Sequence, residues 1–155
     1  MSDLRERESR SVTTVDGFVR KGEAVHGVLF SELPTKSNQR RIFRGISIKS
    51  AKALHFVERV KTVAAYSRWG EQLVGATSAD DVKRGLPFLY LKAQVYGDSF
   101  QRDLDVELLP DALQEAGIIN NDRAIREKHY WWALDKANPR VHFEIGYIKI
   151  LWGEA

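Results

Sequence analysis

The sequence predicts a single α+β domain, a small mixed β-sheet carrying two main helices. Three observations predict it. The chain has 155 residues with 43% hydrophobic content, enough for one core and too little for two. Apolar residues recur at helical spacing in two segments and crowd into strand-like runs in four others. These segments follow one another as strand, helix, strand, helix, strand, strand, without an internal repeat or low-complexity tract.

Residues 1–20 mix Arg, Glu, Ser and Thr without apolar periodicity. They read as a flexible N-terminal arm, with a short ordered piece near "VDGFV", and residues 21–155 as the domain. "AVHGVLF" at 24–30 is the first strand, and "SELPTKSNQRR" then breaks it with a proline and a polar cluster, so this basic stretch reads as a loop. Ser50 caps a helix from Ala51, in which Ala53, Phe56, Val57, Val60 and Ala64 fall at i, i+3, i+4, i+7 and i+11, with Gly70 as the stop. A polar connector with a short helix from Ser78 leads to "LPFLYLKAQVYG", a second strand rich in aromatic and branched residues. Pro110 is tolerated in the first turn of a helix but costs ~3 kcal/mol inside one, so the second helix starts near residues 107–109. Leu109, Ala112, Leu113 and Ala116 form its apolar stripe, and Gly117 ends it. "IREKHYWWALD" and "RVHFEIGYIKILW" read as the two strands of an antiparallel hairpin turning at "KANPR".

Composition narrows the chemistry. No run approaches the ~18 apolar residues of a membrane span, and "MSDLRERESR" lacks the apolar block of a secretory signal. The expectation is a cytoplasmic protein with no membrane partner. The absence of cysteine removes disulfides and thiolate metal sites, leaving oxygen and imidazole ligands and favouring hard ions. The net charge of +3 is mild, but its distribution is not. No acidic residue lies between Glu32 and Glu58, where Lys36, Arg40, Arg41, Arg44, Lys49 and Lys52 all fall. Such a concentration suits a polyanion, because Lys and Arg neutralise phosphates and release condensed counterions. Lys52, Arg59, Lys61 and Arg68 extend the basic surface along the first helix.

Acidic residues gather in "FQRDLDVELLPDALQEAGIINNDRAI", residues 100–125. On extended chain Asp103 and Asp105 project to one side with Leu104 opposite, so both can approach one ion. Mg²⁺ takes oxygen ligands at ~2.0–2.1 Å and keeps open positions that substrate phosphate can fill. A bare D-x-D equally describes an N-cap with a solvated aspartate drawn to the positive end of the following helix.

"RDLDVELLPDALQEAGIINNDRAI" resembles the signature of the RusA-like endodeoxyribonucleases, Holliday junction resolvases common in bacteria and prophages. There a D-L-D segment precedes a D-A-L helix, a glycine and a D-D or N-D turn. "LPTKSNQRR" resembles that family's Pro- and Asn-containing loop, and "KSAKALHFVERV" its first helix, so the likeness spans about residues 24–150. The resemblance implies a RusA-like fold and a homodimer that hydrolyses phosphodiesters of four-way or branched DNA in recombination and repair. It makes Asp103, Asp105 and Asp122 the catalytic, Mg²⁺-binding carboxylates, with Mn²⁺ as a substitute ion; Glu107, close by in sequence, is the candidate auxiliary ligand, and Asp111 a charge at the helix N-terminus. Lys36, Asn38, Arg40, Arg41, Arg44, Lys49, Lys52 and Arg102 are the DNA-binding candidates.

This chain departs from the family pattern at two places. The family has Asn directly after D-L-D and a lysine about one helical turn on, where this chain has Val106 and the lysine-free "ELLP". Lys92, Lys128 and Arg102 are the cations available to stand in. The alternative is a junction-binding protein of the same fold without catalysis. A nucleotidyltransferase built on D-x-D ranks below both, since no Gly-Ser nucleotide-gripping motif precedes the aspartates. His26, His55, His129 and His142 show no metal-ligand spacing and are given no role. Trp131 and Trp132 could stack on unpaired bases, but packing is the use expected of both.

Overall fold

A computed structural model describes residues 16–34, 40–43, 46–97 and 104–149, with 40–43 and 46–49 described as backbone only. Strands β1 (Gly17–Lys21), β2 (Ala24–Leu29), β5 (Leu89–Gly97), β6 (Ile125–Leu134) and β7 (Arg140–Tyr147) form one sheet in the order β1-β2-β7-β5-β6. A separate antiparallel pair is formed by β3 (Arg40–Phe43) and β4 (Ile46–Lys49). The helices are α1 (Ala51–Tyr66), α2 (Ala79–Lys83) and α3 (Leu108–Glu115), with a 3₁₀ turn at Asp122–Ala124. The class is α+β, as the segment order predicts. Among the described residues no helix is long and apolar enough to cross a membrane.

The helices form where the apolar spacing places them. Ser50 Oγ accepts the Ala53 N–H at 3.2 Å, capping α1, and Ala53, Phe56, Val57, Val60 and Ala64 are all buried, joined by Val63. The helix stops at Tyr66, four residues before Gly70. In α3, Leu109, Ala112 and Leu113 are buried, with Ala116 packed at the margin. Gly117 follows with φ +80°, the left-handed conformation that releases a helix end.

Alternation along β5 divides the sheet into two sides. Leu89, Leu91, Ala93 and Val95 are buried with the helices, while Tyr90, Lys92, Gln94 and Tyr96 face the opposite, open side. At the other end of the sheet Phe18, Gly27 and Phe143 share one rung across three strands. The two rings meet edge to face over the glycine, with centroids 5.1 Å apart, and a Cβ on Gly27 would lie 2.2 Å from Phe143 Cε1.

Two expectations need correction. The last two strands do not form a hairpin, because β5 lies between them, parallel to β6 and antiparallel to β7. β5 buries one whole face and gains from a neighbour on each edge, whereas β6, with Arg126, Glu127, Lys128 and His129 exposed, suits the sheet margin. The five residues 135–139 are long enough to step over one strand, and Asp135 N–H bonds Gly97 O at 2.9 Å as the chain passes the end of β5. The basic loop also yields to a hairpin at its far end. Arg40 and Arg41 lie in β3 and Lys49 in β4, because "RIF" and "ISI" carry the branched and aromatic residues that favour strands. Lys36, Asn38 and Arg44 lie outside the described residues.

Candidate functional site

Residues 104–106 approach α3 without regular structure, so the strand geometry expected for the D-L-D segment does not extend to Asp105. Asp103 and Arg102 lie outside the described residues. Asp105 instead works from the helix start: its Oδ1 accepts the Glu107 N–H at 3.1 Å. That bond partly fulfils the helix-start reading of the aspartates. The other carboxylate oxygen, Oδ2, is buried and has no hydrogen-bond partner among the described residues. Leaving a buried polar atom unpaired costs about 1–3 kcal/mol, more when it is charged. The strain is confined to one atom. Val106, in the place of the family's asparagine, is buried in the core and offers no ligand.

Asp122 stands after the far end of α3, in the 3₁₀ turn capped by Asn121, whose Oδ1 accepts the Arg123 N–H at 2.9 Å. The turn is fixed from two directions. Asp122 N–H donates to Gln114 Oε1 of α3 at 2.9 Å. Two residues earlier, Asn120 clasps Gly75, its Oδ1 accepting the Gly75 N–H at 2.9 Å and its Nδ2 donating to Gly75 O at 3.0 Å. Backbone bonds Leu73 N–H to Ile118 O and Asn120 N–H to Leu73 O complete the brace.

β6 runs beside the start of α3, near Glu107 and Asp105, whereas the Asp122 turn is bonded to the helix's other end. Lys128 and Tyr130, two residues apart, sit opposite Leu91 and Ala93 in register and so project to the helix side of the sheet. Lys128 Nζ lies 3.9 Å from Glu107 Oε2, an exposed pair worth ~0–1 kcal/mol. Tyr130 is half-buried, and its hydroxyl has no partner among the described residues. Burial and then the nearby Glu107 and Asp105 carboxylates push its ionisation above the ordinary tyrosine range, so it is a neutral hydrogen-bond donor. Of the cations available to replace the family's lysine, Lys92 is ruled out by direction. It lies on the open side, over the Tyr90 ring and opposite Glu144.

The donor set suits a hard divalent ion in chemistry, since Asp105 Oδ2 is a carboxylate oxygen committed to nothing else described. Among the described residues no three His, Asp or Glu side chains gather closely enough to hold an ion, and the third expected ligand, Asp103, lies outside them.

The basic surface is thinner than the charge count implies. Arg59 Nη2 is bound to Asp16 Oδ2 at 2.5 Å and Lys61 pairs with Glu58 at 3.4 Å. Lys52 is exposed at the start of α1. In the hairpin Arg40 and Lys49 occupy one rung. Trp131 is 45% exposed on the open side, contrary to the packing expected of it, because among the described residues no strand lies beyond β6. Trp132, on the helix side, lies against Gly97, where a Cβ would come within 2.7 Å of its indole nitrogen.

Tyr130 is the residue that sequence reasoning missed. The available signal was its i+2 spacing from Lys128, which puts both on one face of a strand. The chain matches no protein-family model, and no curated protein matches it.

Proposed function

We propose that the protein is a Mg²⁺-dependent, structure-selective DNA endonuclease that hydrolyses phosphodiesters at four-way or branched junctions, acting as a homodimer. The observation that carries the reading is the buried, unpartnered Oδ2 of Asp105 within a D-x-D segment, facing a β6 wall that holds one lysine. A carboxylate oxygen kept dry and unpaired is costly to the fold and useful to a cation. When bound, Mg²⁺ activates water and stabilises charge on the phosphate.

The residues divide the remaining work. Asp103, Asp105 and Asp122 would hold the ion, with Glu107 as an auxiliary ligand that Lys128 now occupies. Gln114 and Asn120 fix the turn that carries Asp122. Arg40 and Lys49 occupy one rung of the β3–β4 hairpin. With Lys36, Asn38, Arg41, Arg44, Lys52 and Arg102 they supply the backbone-binding face. A two-fold dimer matches the two-fold symmetry of a four-way junction and would allow paired cuts.

The test is an end-labelled synthetic four-way junction incubated with the protein in Mg²⁺ and in EDTA, beside Asp105→Asn and a linear duplex. Paired nicks that require Mg²⁺ and disappear in the variant are expected. A shifted complex with no cutting in Mg²⁺ or Mn²⁺ would reject the nuclease and leave a junction-binding protein.

A further inference from the structure

A nuclease site without a cation at the start of α3 must take one from elsewhere, and β6 is the element placed to provide it. We infer that Lys128 and Tyr130 form the phosphate-facing wall of the Asp105 site, Lys128 neutralising a DNA backbone phosphate and Tyr130 donating a hydrogen bond to one of its oxygens. The inference rests on the phosphodiester reading above and adds to it two substrate-contacting residues.

Three observations carry it. First, Lys128 and Tyr130 share one face of β6, the face that looks toward Glu107 and Asp105. Second, neither is committed to a strong partner. Lys128 is held by a single loose contact, 3.9 Å from Glu107 Oε2 with its side chain 38% exposed, and its long stem lets the ammonium move to a phosphate without stranding a buried charge. Tyr130 is exceptional among the sheet tyrosines. Tyr90 donates to Glu144 Oε2 at 2.6 Å and Tyr147 accepts the Val74 N–H at 3.1 Å, while the Tyr130 hydroxyl is buried with no partner among the described residues. Third, β6 is a margin of the sheet among the described strands, so its outer edge is left uncovered. A duplex arm needs such an open approach.

The experiment compares wild type with Lys128→Met, Lys128→Arg and Tyr130→Phe. Junction affinity is measured by fluorescence anisotropy in EDTA across a salt series, cleavage in Mg²⁺, and stability by urea unfolding. Lys128→Met should bind more weakly, with the salt slope reduced by about 0.9, and Lys128→Arg should restore the slope. Tyr130→Phe should leave the unfolding midpoint unchanged or higher, since it removes an unpaired buried hydroxyl, yet cut about tenfold to hundredfold more slowly, as expected for a lost hydrogen bond to a charged group. A Lys128→Met variant with wild-type affinity and slope overturns the role of Lys128. A Tyr130→Phe variant that loses stability but keeps wild-type binding and cutting makes Tyr130 a packing residue. If wild type cuts and the variants cut equally well, only the inference fails. If wild type neither binds nor cuts junctions, the nuclease reading fails and takes the inference with it. If wild type binds without cutting and Lys128→Met weakens that binding, the phosphate contact stands and the nuclease does not.

Discussion

Replacing Asp105 by Asn should separate function from stability, because its two carboxylate oxygens do different work. Oδ1 accepts the Glu107 N–H at 3.1 Å and assists the start of α3, where Glu107 itself makes no side-chain cap. Such a cap is worth about 1 kcal/mol, and an asparagine carbonyl can retain it. Oδ2 is buried without a partner among the described residues, a burden of about 1–3 kcal/mol or more for a charged atom. A neutral amide is cheaper to bury than a carboxylate. The cap term therefore stays near zero while the burial term improves, and Asp105→Asn should equal or exceed wild type in stability by about 0–2 kcal/mol. Near this chain length each kcal/mol moves the melting temperature by about 2–4 °C.

Magnesium should reverse the ranking. At ten times Kd a ligand bound to the native state adds about 1.4 kcal/mol, which wild type gains and the variant loses. Melting curves of both proteins in EDTA and in a Mg²⁺ series provide the assay. The expected result is a variant at least as stable in EDTA, insensitive to Mg²⁺, and inactive on junctions, the trade between function and stability seen where sites store strain. A variant that is more than 1 kcal/mol less stable in EDTA would refute the reasoning. It would mean that the carboxylate holds the fold together rather than being held ready by it.

Three further perturbations probe the scaffold. Gly27→Ala drives a methyl into Phe143 and Phe18 and should cost about 1–3 kcal/mol or more; urea unfolding with an unchanged m-value checks this. Asn120→Ala removes both bonds to Gly75, should cost about 1–3 kcal/mol, and should slow cleavage even at temperatures where the variant is fully folded, by loosening the turn that carries Asp122. For His142, burial and then the Arg140 guanidinium lower the folded pKa below the ordinary value, and Arg140 Nε donates to its Nε2 at 3.1 Å, which needs the neutral ring. The stability this contributes is complete above the unfolded pKa of about 6.5 and is lost as pH falls through the folded value. Urea midpoints should therefore decline from pH 7.5 to 5.5 in wild type, and less steeply in His142→Gln.

Legibility followed the physics of each element. α1 and α3 were readable to within a few residues because one face of each is apolar at helical spacing and those residues are the ones buried. β5 was readable because apolar residues alternate along it with Lys92 and Gln94, leaving one whole face to be buried. Its neighbours were not readable, since strand patterns identify strands and say nothing of which strand lies beside which; adjacency in sequence suggested a hairpin where β5 intervenes. The β3–β4 pair was hidden under its own charges, which marked the segment as loop. In the site, the D-x-D segment pointed to Asp105 and the departure at "ELLP" raised the question of a replacement cation, but only the register of β6 distinguishes Lys128 from Lys92. Tyr130 had only its i+2 spacing from Lys128 as a signature, a weak one because the burial of β6 does not alternate cleanly along its length.

The irregular burial of β6 has a cause that links the fold to the site. A strand with a neighbour on one edge only keeps its other edge toward solvent, so alternation cannot sort its residues into wet and dry as it does in β5. Charged residues are therefore tolerated on both sides of β6: Glu127 and His129 pair with each other on the open side at 2.6 Å, and Lys128 meets Glu107 on the helix side. Had β6 been central, a lysine facing the helices would need a buried, fully compensated partner. At the margin it needs only a loose one. The same position that made β6 hard to read thus lets a cation stand beside a buried carboxylate while remaining open to a large anionic ligand. A sheet with β6 enclosed, by a tethered strand or an edge-pairing peptide, should keep its core and lose junction binding.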